Sequence, residues 1–80
     1  MSRCTIEFVI EPFVEGEPGA HVLAGIQAME TRGLDVSMGP FGSTVTGEVE
    51  SVSDAIGPMV KSAVKDGAHR VLVEVVIEST

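Results

Sequence analysis

Two glycines set the frame for this chain. Gly33 and Gly67 each close a stretch with helical spacing, and each is followed at once by an alternating stretch. In the first half Val22, Ile26 and Met29 recur at helical intervals, with Leu23 alongside. In the second half Val52, Ile56, Met59, Val60, Ala63 and Val64 form a longer apolar stripe. Glycine ends helices readily because it adopts the left-handed conformation without strain, so both helices are predicted to stop at equivalent points. A strand pattern also precedes each helix. Residues 3–12 place Cys4, Ile6, Phe8 and Ile10 on one side and Thr5, Glu7, Val9 and Glu11 on the other, with Pro12 ending the run. Ser43 to Glu50 reads as a strand with Val45 and Val49 on one side.

The remaining strands follow the glycines. Leu34, Val36 and Met38 alternate after Gly33, and His69 to Glu78 carries Val71, Val73, Val75 and Ile77 on one face. Gly39-Pro40-Phe41-Gly42 is a turn between the halves. The order is therefore strand-helix-strand twice. Two right-handed crossovers joined by a tight turn give a four-stranded antiparallel sheet, order 4-1-3-2, with both helices on one face. That is the ferredoxin-like βαββαβ sandwich, an α+β fold. Pro18 suits the start of the first helix. Ser51, with Asp54 three residues on, reads as the cap of the second, and Lys61 and Lys65 suit its negative end. Pro58 is expected to kink that helix or to leave its first turn separate.

Eighty residues allow one domain, 1–80. With 44% hydrophobic and 21% charged residues the chain is too apolar to be disordered. Twelve acidic residues against five basic ones leave a formal charge of −7. Nucleic-acid binding needs a basic footprint that displaces counterions, and an anionic membrane surface needs the same, so neither partner is expected. A cation suits this chain better. The lone Cys4 excludes an internal disulfide and a cysteine-rich zinc site, and His21 and His69 fit no metal or triad arrangement. No apolar run approaches the roughly 20 residues of a membrane span, and the N-terminus has no signal pattern, so a cytoplasmic protein without membrane insertion is expected. A domain this small hides only about 60–65% of its unfolded surface, so association into an oligomer is expected too.

The helices leave one sheet face open. Alternation assigns to it Thr5, Glu7, Val9 and Glu11, then Thr44, Thr46, Glu48 and Glu50, then Leu72, Glu74, Val76 and Glu78. Glu7, Glu48 and Glu74 are predicted to share a patch made unusually apolar by Val9, Leu72 and Val76. The plain alternative is a wet face whose acids only keep the chain soluble. The string Met38 to Thr44 is either a simple hairpin connection or a binding loop, in which Phe41 offers a ring and Ser43 and Thr44 offer hydroxyls. There is no phosphate loop and no nucleophile elbow, and Cys4 has no neighbouring base, so no enzyme is expected.

The string Gly39-Pro40-Phe41-Gly42-Ser43-Thr44-Val45-Thr46-Gly47-Glu48 resembles the hallmark of the small thiamine-binding proteins, where a Gly-(Ser)-Thr-x-x-x-Gly-Glu stretch begins the third strand. Ile6 to Pro12 looks like their first strand, Gly33-Leu34 like their helix exit, and Gly67-Ala68-His69-Arg70-Val71 like their approach to the last strand. The resemblance implies the same fold, a cytoplasmic setting, and non-enzymatic binding of thiamine or its hydroxymethylpyrimidine moiety for salvage, transport or sensing, without a cofactor. It implies assembly as a homodimer or homotetramer through sheet faces or edges. By resemblance Ser43, Thr44 and Glu48 stand at the motif's ligand positions; Glu7 joins them from face geometry and Phe41 as the available ring. The alternative reading is a regulatory or oligomerisation module of the same fold with no thiamine ligand. An acylphosphatase-like hydrolase would want an asparagine, and the chain contains none.

Overall fold

The computed structural model describes residues 2–14 and 16–78. The elements run β1 (Arg3–Glu11), α1 (Ala20–Glu30), β2 (Ser37–Met38), β3 (Ser43–Glu48), α2 (Val49–Lys65) and β4 (Arg70–Ile77). All neighbouring strands pair antiparallel, in the order β2-β3-β1-β4, which is the expected 4-1-3-2 read from the other edge. The helices pack on each other and lie over β1 and β3.

The alternation of β1 decides the core. Cys4, Ile6, Phe8 and Ile10 are all buried and meet Val22, Ile26 and Met29 of α1 and Val52, Ala55, Met59 and Ala63 of α2. Both glycine stops hold. Gly67 has φ +108, its N–H donates to the Val64 carbonyl, and the Ala68 N–H donates to the Ala63 carbonyl, which satisfies the last carbonyls of α2. Gly33, at φ +81, repeats the arrangement, with Gly33 and Leu34 donating to Glu30 and Met29.

Several sequence expectations are corrected. β3 ends at Glu48, and Val49 opens α2 instead of extending the strand. Ser51 is therefore inside the helix, and Glu48 occupies the cap position without a side-chain cap bond. The reason lies just before β1, where the Ser2 carbonyl accepts the Val49 N–H at 3.0 Å and satisfies one of the helix's orphan donors. Pro58 sits within one continuous helix and leaves no separate first turn. Its missing N–H frees the carbonyl of the exposed Asp54, on the outward side where water can solvate it. β2 is only two residues long; Leu34 and Val36 pack against the core rather than continuing the ladder. On β4, Val71 and Val73 are half-buried, but Val75 and Ile77 are 46% and 55% exposed because the helices do not reach over that end of the edge strand.

Candidate functional site

The open face is built in rows by strand register. Glu7 lies opposite Thr44 on β3 and opposite Glu74 on β4, and Thr44 lies opposite Ser37 on β2. One row thus runs Ser37, Thr44, Glu7, Glu74 across four strands. Toward the hairpin end the next rows are Val9 with Leu72, then Glu11 with Arg70. Away from it lie Thr46, Thr5 and Val76, then Glu48 and Arg3.

Ion pairing divides the acids of this face into two groups. Arg3 Nη1 approaches Glu48 Oε1 at 3.8 Å, and Arg70 Nη1 approaches Glu11 Oε1 at 3.6 Å. Between these two ends Glu7 and Glu74 face each other with no ion-pair partner among the described residues. Like charges directly opposite on a sheet destabilise the pair, so the position favours any cation that binds between them. Beside them the Thr5 and Thr46 hydroxyls share a 3.0 Å hydrogen bond, and Thr5 donates weakly to Glu78.

Three hollows adjoin at this end of the sheet, and Val9 lines all of them. One of about 450 Å³ lies on the open face over Glu7, Val9, Leu72 and Glu74. A smaller one of about 200 Å³ lies beneath the hairpin, between Glu7, Val9, Phe41 and Thr44. An outer groove of about 810 Å³ is bounded by Glu11, Phe13, Pro40, Phe41, His69 and Arg70. Each lies in or near the size range of small-molecule sites. The hairpin closes on β1 at Gly42, where a Cβ would stand 2.9 Å from the Phe8 carbonyl oxygen and 3.0 Å from Val9 Cγ2. Only glycine permits that approach, and it sets the Phe41 ring, 84% exposed, at the rim of both hairpin hollows.

Of the five residues singled out from sequence, the structure brings three together. Glu7 and Thr44 are cross-strand partners, and Phe41 stands at the edge of the same hollow. Ser43 is only 3% exposed and pairs with Phe8 on the helix-facing side, touching the hollow beneath the hairpin from below. Adjacent strand residues face opposite ways, so Ser43 and Thr44 cannot both project from the open face. Glu48 shares the open face but lies two rows from Glu7, about 13 Å along the strand, next to Arg3 and a separate hollow.

The patch that alternation predicts keeps Glu7, Glu74, Val9 and Leu72 together and loses Glu48, while Arg70, Glu11 and His69 form the rim of the outer groove. Register shows which of these residues are direct neighbours. The ladder sum that pairs Glu7 with Glu74 is the signal that identifies them, and it requires knowing where β4 begins. Among the described residues no group of three or more His, Cys, Asp or Glu side chains is placed to hold a metal ion. No helix is long and apolar enough to cross a membrane.

Residues 6–80 match the profile of the family described as thiamine-binding protein. No curated protein shows a significant match. Among solved structures, a protein from Streptococcus pneumoniae superposes with a TM-score of 0.72 at 21% identity, covering 100% of this chain and 88% of that one. A domain of unknown function from Bacillus cereus gives 0.71 at 22% identity, covering 100% and 79%. A Thermotoga maritima protein whose name assigns it provisionally to thiamine biosynthesis or salvage gives 0.69 at 23% identity, covering 98% and 84%. At these identities the structural likeness establishes the fold.

Proposed function

This chain belongs to the thiamine-binding protein family, which gives it a thiamine-related role, and on that premise we propose that it binds thiamine or a related aminopyrimidine without transforming it. The observation that carries this reading is the Glu7–Glu74 pair. Two carboxylates stand opposite each other without an ion-pair partner among the described residues, flanked by apolar Val9 and Leu72. Thiamine carries a fixed positive thiazolium and an aminopyrimidine with N–H donors beside ring-nitrogen acceptors. Glu7 and Glu74 complement the charge and the donors, Thr44 and Ser37 supply hydroxyls in the same row, and Phe41 supplies a ring to stack on.

The site takes its ligand from the open face, at the hairpin end. Glu7, Phe41 and Thr44 make direct contacts; Ser43 supports the hairpin from beneath, and Glu48 acts at a distance through its charge. In this reading the protein is a cytoplasmic carrier or sensor that works as a homo-oligomer. Cys4, 1% exposed in the core, takes no part.

Calorimetric titration with thiamine and with hydroxymethylpyrimidine tests the proposal. Saturable heat that weakens on Glu74→Gln is the expected result; no heat from either ligand at high protein concentration would refute it. A second reading, a regulatory or assembly module without a thiamine ligand, draws on the exposed Leu72 and Val76 of the same face. It predicts that Val76→Glu disperses an oligomer while neither ligand has any effect.

A further inference from the structure

Five basic residues are spread over this acidic chain, and the fold sorts them by the face they occupy. Arg3 and Arg70 stand on the sheet, and each meets a glutamate. Arg32, Lys61 and Lys65 belong to the helix side, and none of the three has a carboxylate within ion-pair distance among the described residues. Lys61 and Lys65 are four residues apart on α2, so they share one face and repel each other. The negative end of α2 gives Lys65 little to hold. The carbonyls of Ser62, Ala63 and Val64 already accept the N–H groups of Asp66, Gly67 and Ala68.

A groove of about 410 Å³ runs along the seam between the two helices, on the side of the molecule away from the open face. Gln27 and Arg32 line its α1 wall, and Ser62 and Lys65 line its α2 wall. Ala24 and Ala28 carry only methyl groups and leave room between the walls. Arg32 folds back over the last turn of α1, with Nη1 3.4 Å from the Ala28 carbonyl, and keeps its other N–H groups for the groove. Each wall therefore offers one cation and one neutral donor. Asp66 is the one acid in the lining, so two cations face one carboxylate, and it forms no ion pair with either.

We propose that this groove binds a phosphate monoester, with the phosphate group lying between Arg32 and Lys65. Donors on facing walls approach from different directions, which suits the three free oxygens of a phosphate better than the two coplanar oxygens of a carboxylate. Arginine supplies a planar fork to that group and lysine a point charge. The volume lies within the range of small-molecule sites and exceeds what a bare phosphate fills, so the organic part of the ester rests over Ala24 and Ala28. Asp66 accepts a hydroxyl or amine of that part. The bound anion also relieves the repulsion between Lys61 and Lys65. The site lies on the opposite side of the sheet from Glu7 and Glu74 and does not depend on thiamine binding.

Titration of the isotope-labelled chain, followed by nuclear magnetic resonance of its amides, tests the proposal. The probes are glycerol phosphate, inorganic phosphate and acetate, with chloride holding the ionic strength constant. Both phosphates are expected to shift Gln27, Thr31, Ser62 and Lys65 saturably while Glu7 and Thr44 stay still, and acetate to bind several-fold more weakly. Arg32→Gln and Lys65→Gln, both at exposed positions, should each weaken phosphate binding roughly fivefold, the loss of one unit-charge contact at the dielectric of water. Asp66→Asn should strengthen it by a similar factor. Shifts that rise without saturation at every lysine and arginine alike, equal binding of acetate, binding of inorganic phosphate without the ester, or unchanged affinity in both glutamine variants overturns the proposal. Each of these results leaves the thiamine reading untouched, and absence of thiamine binding leaves the groove untouched.

Discussion

Replacing Glu7 by glutamine should make the protein more stable and a poorer binder at the same time. Glu7 and Glu74 are directly opposite on adjacent strands, and no basic side chain among the described residues pairs with either. Their Cα atoms are about 5.5 Å apart in a hydrogen-bonded antiparallel pair. Two exposed carboxylates about 6 Å apart repel by about 0.7 kcal/mol at the dielectric of water, which agrees with the cross-strand range of about 0.2–1 kcal/mol. For a chain of 80 residues, removing that repulsion corresponds to a rise in Tm of about 4 °C. A monocation held about 5 Å from the same carboxylate loses close to 1 kcal/mol of attraction when the charge is removed, or about fivefold in affinity. Glutamine keeps the size and hydrogen-bonding capacity of the side chain, so packing is unchanged. Calorimetry in low salt and in about 0.5 M salt measures both quantities, and both effects should shrink at high salt because the pair is exposed. Stability and affinity falling together would refute the reasoning, since it would mean that Glu7 holds the fold through a bond to a neutral partner. Unchanged affinity would refute it equally.

Three further outcomes follow from the same geometry. Phe41→Ala removes a ring that is 84% exposed, so unfolding in urea should shift by less than about 0.5 kcal/mol while thiamine affinity measured by calorimetry drops about tenfold. Gly42→Ala places a Cβ against the Phe8 main-chain oxygen, which has no side chain to move aside; the hairpin must lift, costing about 1–3 kcal/mol in denaturant titration and weakening binding by displacing Phe41. Pro58→Ala restores a hydrogen bond inside α2 and relieves the ring's clash with the preceding turn, and should stabilise the protein by about 1–3 kcal/mol in the same assay. No gain there would mean that the continuous helix already accommodates Pro58 without strain.

The architecture was readable because its signals are local and mutually consistent. The burial of Cys4, Ile6, Phe8 and Ile10 follows from a period of two, and the stops at Gly33 and Gly67 follow from the one residue that tolerates positive φ. The misplaced start of α2 shows the limit of such signals. Ser51 carries a good capping pattern, yet the ladder between β1 and β3 runs to Arg3 and Glu48 and supplies Ser2's carbonyl to Val49, so the helix begins three residues earlier. A hydrogen-bond partner 47 residues away in sequence outweighed a local cap. Alternation likewise puts Val75 and Ile77 on the helix-side face, but their exposure depends on how far the helices extend over an edge strand.

Sequence by itself determined the fold class, the face that stays open and the acidic character of that face, because each depends on periodicity and composition within a single element. Tertiary structure alone decided which acids meet. Glu48 and Glu7 share a face, but register separates them by two rows and gives Glu48 an arginine, while Glu74, 67 residues from Glu7, becomes its direct neighbour. Side-chain alternation fixes direction and says nothing about offset between strands. That offset is set by the turn at Gly42 and the length of each crossover, and it is what sets Glu7 directly opposite Glu74 with no ion-pair partner for either among the described residues.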